Sequence, residues 1–204
     1  MKRVEWVLFD LGGVLIDVDQ SRIFAGLAVQ AGLDQTEIRA KVLAKFPLQD
    51  EFIVQEYLPD RLTKEINQSL GTSLTQEQVV NAFNAELGNT IETTAQLLPM
   101  LRTRTKVGCL SNTNSIHWEH MLRSYSFMSH FDRRFASQII GHAKPGAQIY
   151  RSVLELLDAM PQQLLFFDDK QENVDAAARL GWHARLYSGH SGLMAELKEF
   201  GIVE

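Results

Sequence analysis

Short runs of consecutive apolar residues alternate with longer stretches of helical periodicity through much of this 204-residue chain. Val4-Glu5-Trp6-Val7-Leu8-Phe9 reads as a buried strand, because β-branched and aromatic residues suit a pleated, covered surface. Lys106–Leu110, Arg134–Ala136, Leu164–Phe167 and His183–Tyr187 read the same way. Helical spacing predicts helices over Thr94–Thr103, Ser115–Arg123, Ala147–Leu157, Asn173–Leu180 and Ser191–Phe200. From about Ile91 onward this alternation predicts an α/β fold, a Rossmann-like parallel sheet with helices on both faces.

Residues 20–89 break the rhythm. They show helical periodicity without a credible strand, in the sets Ile23-Leu27-Ala31, Ile38-Val42-Lys45, Leu62-Ile66-Leu70 and Val79-Phe83-Leu87. Thr75 followed by Gln78 has the spacing of a capping box, and Pro47, Pro59 and Gly71 punctuate the segment. The expected organisation is a core domain of residues 1–19 and 90–204 with an all-helical cap, residues 20–89, inserted after the first strand. Both connections of that insertion emerge beside the end of the first strand, so it is expected to act as a lid.

Bulk properties narrow the function classes. The length suits one sizeable core with a smaller accessory unit. A formal net charge of -5 argues against general nucleic-acid binding. No apolar run approaches the roughly 20 residues that span a bilayer. Glu5 and Asp10 interrupt the basic N-terminal stretch, and no small-residue cleavage site follows, so a cytoplasmic location is expected. The single cysteine, Cys109, sits in a predicted strand and has no intrachain partner, and His and Cys nowhere take zinc-ligand spacing.

Four candidate stretches lie at strand ends or helix starts. Asp10 ends the first strand and is followed by Leu11-Gly12-Gly13; Ser111-Asn112-Thr113-Asn114 ends the second. Lys144-Pro145 precedes the Ala147–Leu157 helix, with Pro145 suited to an early helical position, and Asp168-Asp169 ends the Leu164–Phe167 strand. In an open α/β sheet, ligands bind beyond the carboxyl ends of the strands. Taken singly, each stretch has a structural reading: the acids as caps, Ser111 and Asn112 as turn formers, Lys144 as a solvated charge. The adjacent acids together suggest a cation, because like charges packed side by side need one.

As an ordered set, these stretches resemble the haloacid dehalogenase superfamily of Asp-nucleophile hydrolases, over essentially the whole chain. Leu11-Gly12-Gly13-Val14, Ser111-Asn112-Thr113-Asn114 and Phe166-Phe167-Asp168-Asp169 are most similar to its α-glucose-1-phosphate phosphatase-like branch. The resemblance implies hydrolysis of a small phosphorylated metabolite, a sugar phosphate among the candidates, through an aspartyl-phosphate on Asp10. It implies Mg²⁺ held by Asp10, the Gly12 carbonyl and the Asp168-Asp169 pair, with either acid of that pair as the direct ligand. Ser111 and the amide of Asn112 would grip the phosphoryl oxygens, and Lys144 would neutralise developing charge.

One residue departs from the superfamily pattern. Most of its phosphatases carry a second Asp two positions after the nucleophile, to protonate the leaving alkoxide; here that position is Gly12. A metal-bound water or a cap residue is the expected substitute, and Asp17 is expected to be structural. A 2-haloacid dehalogenase needs no such acid, because halide leaves unprotonated, but it also needs no metal, and the acidic pair counts against it. A weakly active phospho-ligand-binding regulatory protein is the third reading. A response-regulator receiver domain is discarded, because its paired acids precede its phosphorylated Asp in the chain. Phe46, Phe52 and Tyr57 are open between pocket and core. His117, Trp118 and His120 read more readily as helix-surface or cap contacts than as substrate contacts. Asn173 reads either as a buttress of the acidic pair or as a helix start.

Overall fold

Four successive buried residues make β1 (Trp6–Phe9) the centre of a five-stranded parallel sheet, since both its faces are covered. The computed structural model describes residues 4–45 and 58–204. The ribbon strand β2 (Ile16–Val18) follows β1, and helices α1 (Ser21–Ala31), α2 (Gln35–Lys45), α3 (Pro59–Leu70) and α4 (Gln76–Asn84) come next. The chain returns through β3 (Leu87–Thr90) and two short helices, α5 (Glu92–Ala95) and α6 (Leu98–Arg102). It then runs through β4 (Lys106–Ser111), α7 (Ser115–Ser124), β5 (Arg133–Ala136), α8 (Ser137–Ile140) and α9 (Ala147–Leu157). It ends with β6 (Leu164–Asp168), α10 (Gln171–Arg179), β7 (His183–Leu186) and α11 (His190–Glu199).

The main sheet has the order β5-β4-β1-β6-β7, and every pairing in it is parallel. Period-two alternation divides its side chains between two layers. Val7, Phe9, Val107, Cys109, Leu165 and Phe167 pack on one face, and Trp6, Leu8, Leu110, Leu164 and Phe166 on the other. In register, Phe9 faces Cys109 on one side and Phe167 on the other. Asp10, Ser111 and Asp168 therefore leave the sheet along one edge.

Helices α1–α4 build their own apolar cluster from residues such as Phe24, Leu27, Val42, Ile66 and Phe83, with Ile116 of α7 contributed from beside the sheet. Leu62, Ile66 and Leu70 form the buried stripe of α3 at four-residue spacing. The capping box at Thr75 is formed: Thr75 Oγ1 accepts from Gln78 N at 3.2 Å, and Gln78 Oε1 accepts from Thr75 N at 2.8 Å. Phe46, Phe52 and Tyr57 lie outside the described residues. No helix among the described residues is long and apolar enough to cross a membrane.

The structure corrects several expectations. The insertion is not strand-free at its end, because Leu87 belongs to β3 rather than to α4, and β3 pairs antiparallel with β2 in a two-stranded ribbon. The Thr94–Thr103 helix is broken into α5 and α6. A continuous helix would place Pro99 in its interior, whereas in α6 Pro99 occupies the first turn, where no N–H is needed. Pro145 lies before α9, in a turn, with Gly146 at the N-cap, so it is not a helical residue.

Candidate active site

Asp10 is placed by its backbone, whose N–H donates to Phe167 O at 2.8 Å and so extends the β1–β6 ladder by one residue. Its Oδ1 accepts from Leu11 N at 2.7 Å and lies 3.0 Å from Lys144 Nζ. Two donors on one oxygen hold the carboxylate in a single orientation. Burial pushes the Asp10 carboxyl up to about 6; Lys144 opposes that rise and Asp168 adds to it.

Lys144 is buried and bridges two carboxylates, with its Nζ 2.6 Å from Asp168 Oδ2 as well. Burial works against the ammonium, but Asp10 and Asp168 outweigh it and hold Lys144 above the usual lysine range. The loop that carries Lys144 has no secondary structure of its own. Asn112 anchors it: Nδ2 donates to Lys144 O at 2.7 Å, and Oδ1 accepts from Lys144 N at 2.9 Å. The neighbouring backbone is fixed by Ser137, whose Oγ accepts from Thr113 N at 2.9 Å and donates to Thr113 O at 3.0 Å.

The two adjacent acids are not equivalent. Asp168 is fully buried, and its Oδ1 accepts from Lys170 N and Asn173 Nδ2, each at 2.9 Å. With Lys144 on Oδ2, both its oxygens are engaged, and Asn173 is a buttress of this acid. Asp169 is exposed and makes no ion pair among the described residues. Partial burial and the neighbouring Asp168 raise its carboxyl above the ordinary range. One carboxylate oxygen from each of Asp10, Asp168 and Asp169 lies within 4.8 Å of the others. Three carboxylates meet here and the Lys144 ammonium pairs with only two of them, an imbalance that a divalent cation would correct.

Glycines 12 and 13 make room for this cluster. Gly13 has φ +71°, and a Cβ on it would stand 2.5 Å from Asp169 Oδ2, so the carboxylate lies where any other side chain would begin. The N–H of Gly13 donates to Ile16 O, and Leu11 O accepts from Ile16 N, both at 2.9 Å. The Gly12 carbonyl stands outside that bridge. A Cβ on Gly12 would lie 3.2 Å from Val18 Cγ2, so β2 covers the place where an acid at that position would project.

These residues line a cavity of about 940 Å³ between the sheet edge and the helical insertion. Asp10, Gly12, Ser111, Asn112, Lys144 and Asp169 all reach it, whereas Asp168 is behind them, supporting Lys144. His117 also reaches the cavity, but its ring is occupied: Nε2 donates to Phe83 O of α4 at 3.1 Å, and Nδ1 faces Asn114 Nδ2 at 3.3 Å. It ties α7 to the insertion. Burial drives its pKa down to about 4, so the ring is neutral. Asp17 pairs with Arg22 at 2.5 Å, at the start of the insertion. Sequence reasoning missed three features: the Asn112 side chain as the anchor of Lys144, the steric role of Gly13, and Glu86 as a cavity residue. Gly-Gly directly after a strand-end Asp was a usable signal for the second; nothing local marks the other two.

The family model for haloacid dehalogenase-like hydrolases matches residues 4–181. The chain belongs to this family. Among curated proteins, it is 24% identical over 182 residues to a D-ribitol-5-phosphate phosphatase from Bacteroides thetaiotaomicron, covering 86% of this chain and 88% of that protein. It is 28% identical over 209 aligned positions to a phosphatase from Mycobacterium tuberculosis, covering 97% and 95% of the two. Among solved structures, it is similar to a family enzyme from B. thetaiotaomicron in complex with magnesium and inorganic phosphate. That match has a TM-score of 0.77 and 28% identity, and covers 90% of this chain and 93% of that one. As a haloacid dehalogenase-like hydrolase, the chain combines a strand-end Asp10 with a buried lysine and an acidic pair, and departs from the superfamily pattern at Gly12.

Proposed function

We propose that this hydrolase is a Mg²⁺-dependent phosphatase that cleaves a small phosphorylated metabolite through an aspartyl-phosphate on Asp10. The observation that carries the reading is the meeting of three carboxylates, one oxygen of each within 4.8 Å of the others, of which only Asp10 and Asp168 pair with a buried ammonium. A dehalogenase needs no cation, and this cluster is suited to one. The B. thetaiotaomicron relative, a D-ribitol-5-phosphate phosphatase, supports a phosphorylated carbohydrate as substrate.

Asp10, Asp169 and the Gly12 carbonyl supply the hard oxygen donors that Mg²⁺ prefers, and Asp168, with both oxygens engaged, holds Lys144 instead of the ion. Bound there, Mg²⁺ supplies neutralisation of the repulsion between an anionic nucleophile and a phosphate dianion. Asp10, held in orientation by Leu11 N and Lys144, forms the new O–P bond as the P–O bond to the alcohol breaks. Ser111, Asn112 and Lys144 line the cavity, and the Ser111 hydroxyl, the Asn112 backbone N–H and the Lys144 ammonium would donate to the phosphoryl oxygens, where charge grows in the transition state. Water then cleaves the aspartyl-phosphate and regenerates Asp10.

The test is an assay of purified protein against phosphate monoesters and 2-haloacids, with and without Mg²⁺. Phosphate release should require Mg²⁺, stop on chelation, and fall by roughly a thousandfold or more in Asp10→Asn. Halide release that chelation leaves untouched would establish the dehalogenase reading in its place.

A further inference from the structure

Resting on the phosphatase reading, we infer that Glu86 is the proton donor to the leaving alcohol, in place of the acid that Gly12 cannot provide. The backbone places it there. Val18 covers the empty side of Gly12, its Cγ2 lying 3.2 Å from a Cβ built on that residue, and Val18 pairs with Leu87 across the β2–β3 ribbon. Glu86 immediately precedes Leu87, accepts from Asp19 N on its carbonyl at 3.0 Å, and lines the same cavity as Asp10 and Lys144.

Beyond Asp10 and Asp169, which the proposed reaction uses as nucleophile and metal ligand, the other titratable groups of the cavity are committed or outlying. Asp17 spends Oδ2 on Arg22 at 2.5 Å. His117 directs its Nε2 proton at Phe83 O, and Lys144 is held between Asp10 and Asp168. Lys170 and Glu172 are exposed beside the start of α10. The Glu86 side chain is only 20% exposed, and its carboxyl takes no hydrogen bond among the described residues. His117 Nε2 lies 3.7 Å from its Oε2, and that nitrogen is already used by Phe83 O.

Among the described residues, three charged or titratable groups bear on Glu86: Asp19 from the turn before α1, Lys170 from the turn after β6, and His117 from α7. Burial raises its carboxyl to about 7, Asp19 adds to the rise and Lys170 opposes it, so near neutrality it retains a proton to give. In the first step the Asp10–phosphorus bond forms, the phosphorus–alkoxide bond breaks, and the Glu86 proton passes to the departing oxygen. In the second, the resulting Glu86 carboxylate takes a proton from the water that attacks the aspartyl-phosphate.

The experiment compares wild type with Glu86→Gln on an alkyl phosphate (ribitol 5-phosphate) and on p-nitrophenyl phosphate, whose leaving group departs without protonation. The readout is kcat/KM, which reports only steps up to alcohol release. Glu86→Gln should lower kcat/KM for the alkyl ester by about 10²-fold or more and leave the aryl ester within about fivefold. In wild type, the alkyl ester alone should lose kcat/KM above pH of about 7, a limb that can be measured without any variant. Equal effects on both esters, no effect on either, or the same alkaline limb for both would overturn the inference. A wild type that releases no phosphate from any ester would overturn it together with the phosphatase reading; an active wild type with an indifferent Glu86→Gln would overturn it alone.

Discussion

The Asn112 side-chain amide closes a two-point clamp on the Lys144 backbone, donating to its carbonyl at 2.7 Å and accepting from its N–H at 2.9 Å. The two residues are 32 positions apart, and the clamp ties the end of β4 to a loop without regular structure. Lys144 Nζ contacts both Asp10 and Asp168, so an error in the loop becomes an error at the proposed nucleophile.

Asn112→Ala is therefore expected to lower kcat/KM by roughly a hundredfold, the usual scale for a catalytic group displaced by about 1 Å. Mg²⁺ affinity, read by titration calorimetry, should change far less than kcat/KM, because Asn112 touches none of the carboxylates and reaches Asp10 only through Lys144. Loss of both properties would mean a collapse of the sheet edge rather than a misplaced lysine.

Gly13→Ala should act on the metal site without removing a ligand. The new Cβ would meet Asp169 Oδ2 at 2.5 Å, at a residue whose φ is +71°. We expect Mg²⁺ affinity to fall at least about tenfold and stability to drop about 1–2 kcal/mol. Metal titration and urea denaturation measure the two effects separately.

His117 makes stability fall in acid. Its folded pKa is depressed to about 4 from 6.5, chiefly by burial, so between those values the unfolded chain binds a proton that the folded chain refuses. This contribution is fully present above pH of about 6.5 and is lost progressively as pH falls, the loss amounting to about 3 kcal/mol near pH 4. His117→Gln should flatten that part of a stability–pH curve. An unchanged slope would assign the acid sensitivity to other groups.

Legibility in the sequence followed the strength of the local signal. The four-residue apolar runs at β1 and β6 announced strands covered on both faces, since alternation disappears when neither face meets water. The order Asp10, Ser111, Lys144, Asp168-Asp169 was enough to name the family, because the edge of a parallel sheet gathers residues that share a register. The β2–β3 ribbon was hidden. It contains Gly88 and Asn89, both poor strand formers, and its pairing is stabilised by tertiary context such as Tyr125 Oη donating to Gly88 O at 2.6 Å.

By itself the sequence determined the layered α/β core, the helical character of the insertion, and the family to which the chain belongs. Periodicity and strand-end placement are properties of adjacent residues, so they can be read along the chain. Only the tertiary structure separated Asp168, buried on Lys144, Lys170 N and Asn173, from Asp169, which faces the cavity. It alone brought Asn112 to Lys144 and Glu86 to the cavity that Asp10 and Gly12 line. Those relationships depend on how distant segments meet across a folded edge, and residues far apart in the chain leave no mark on one another's neighbours.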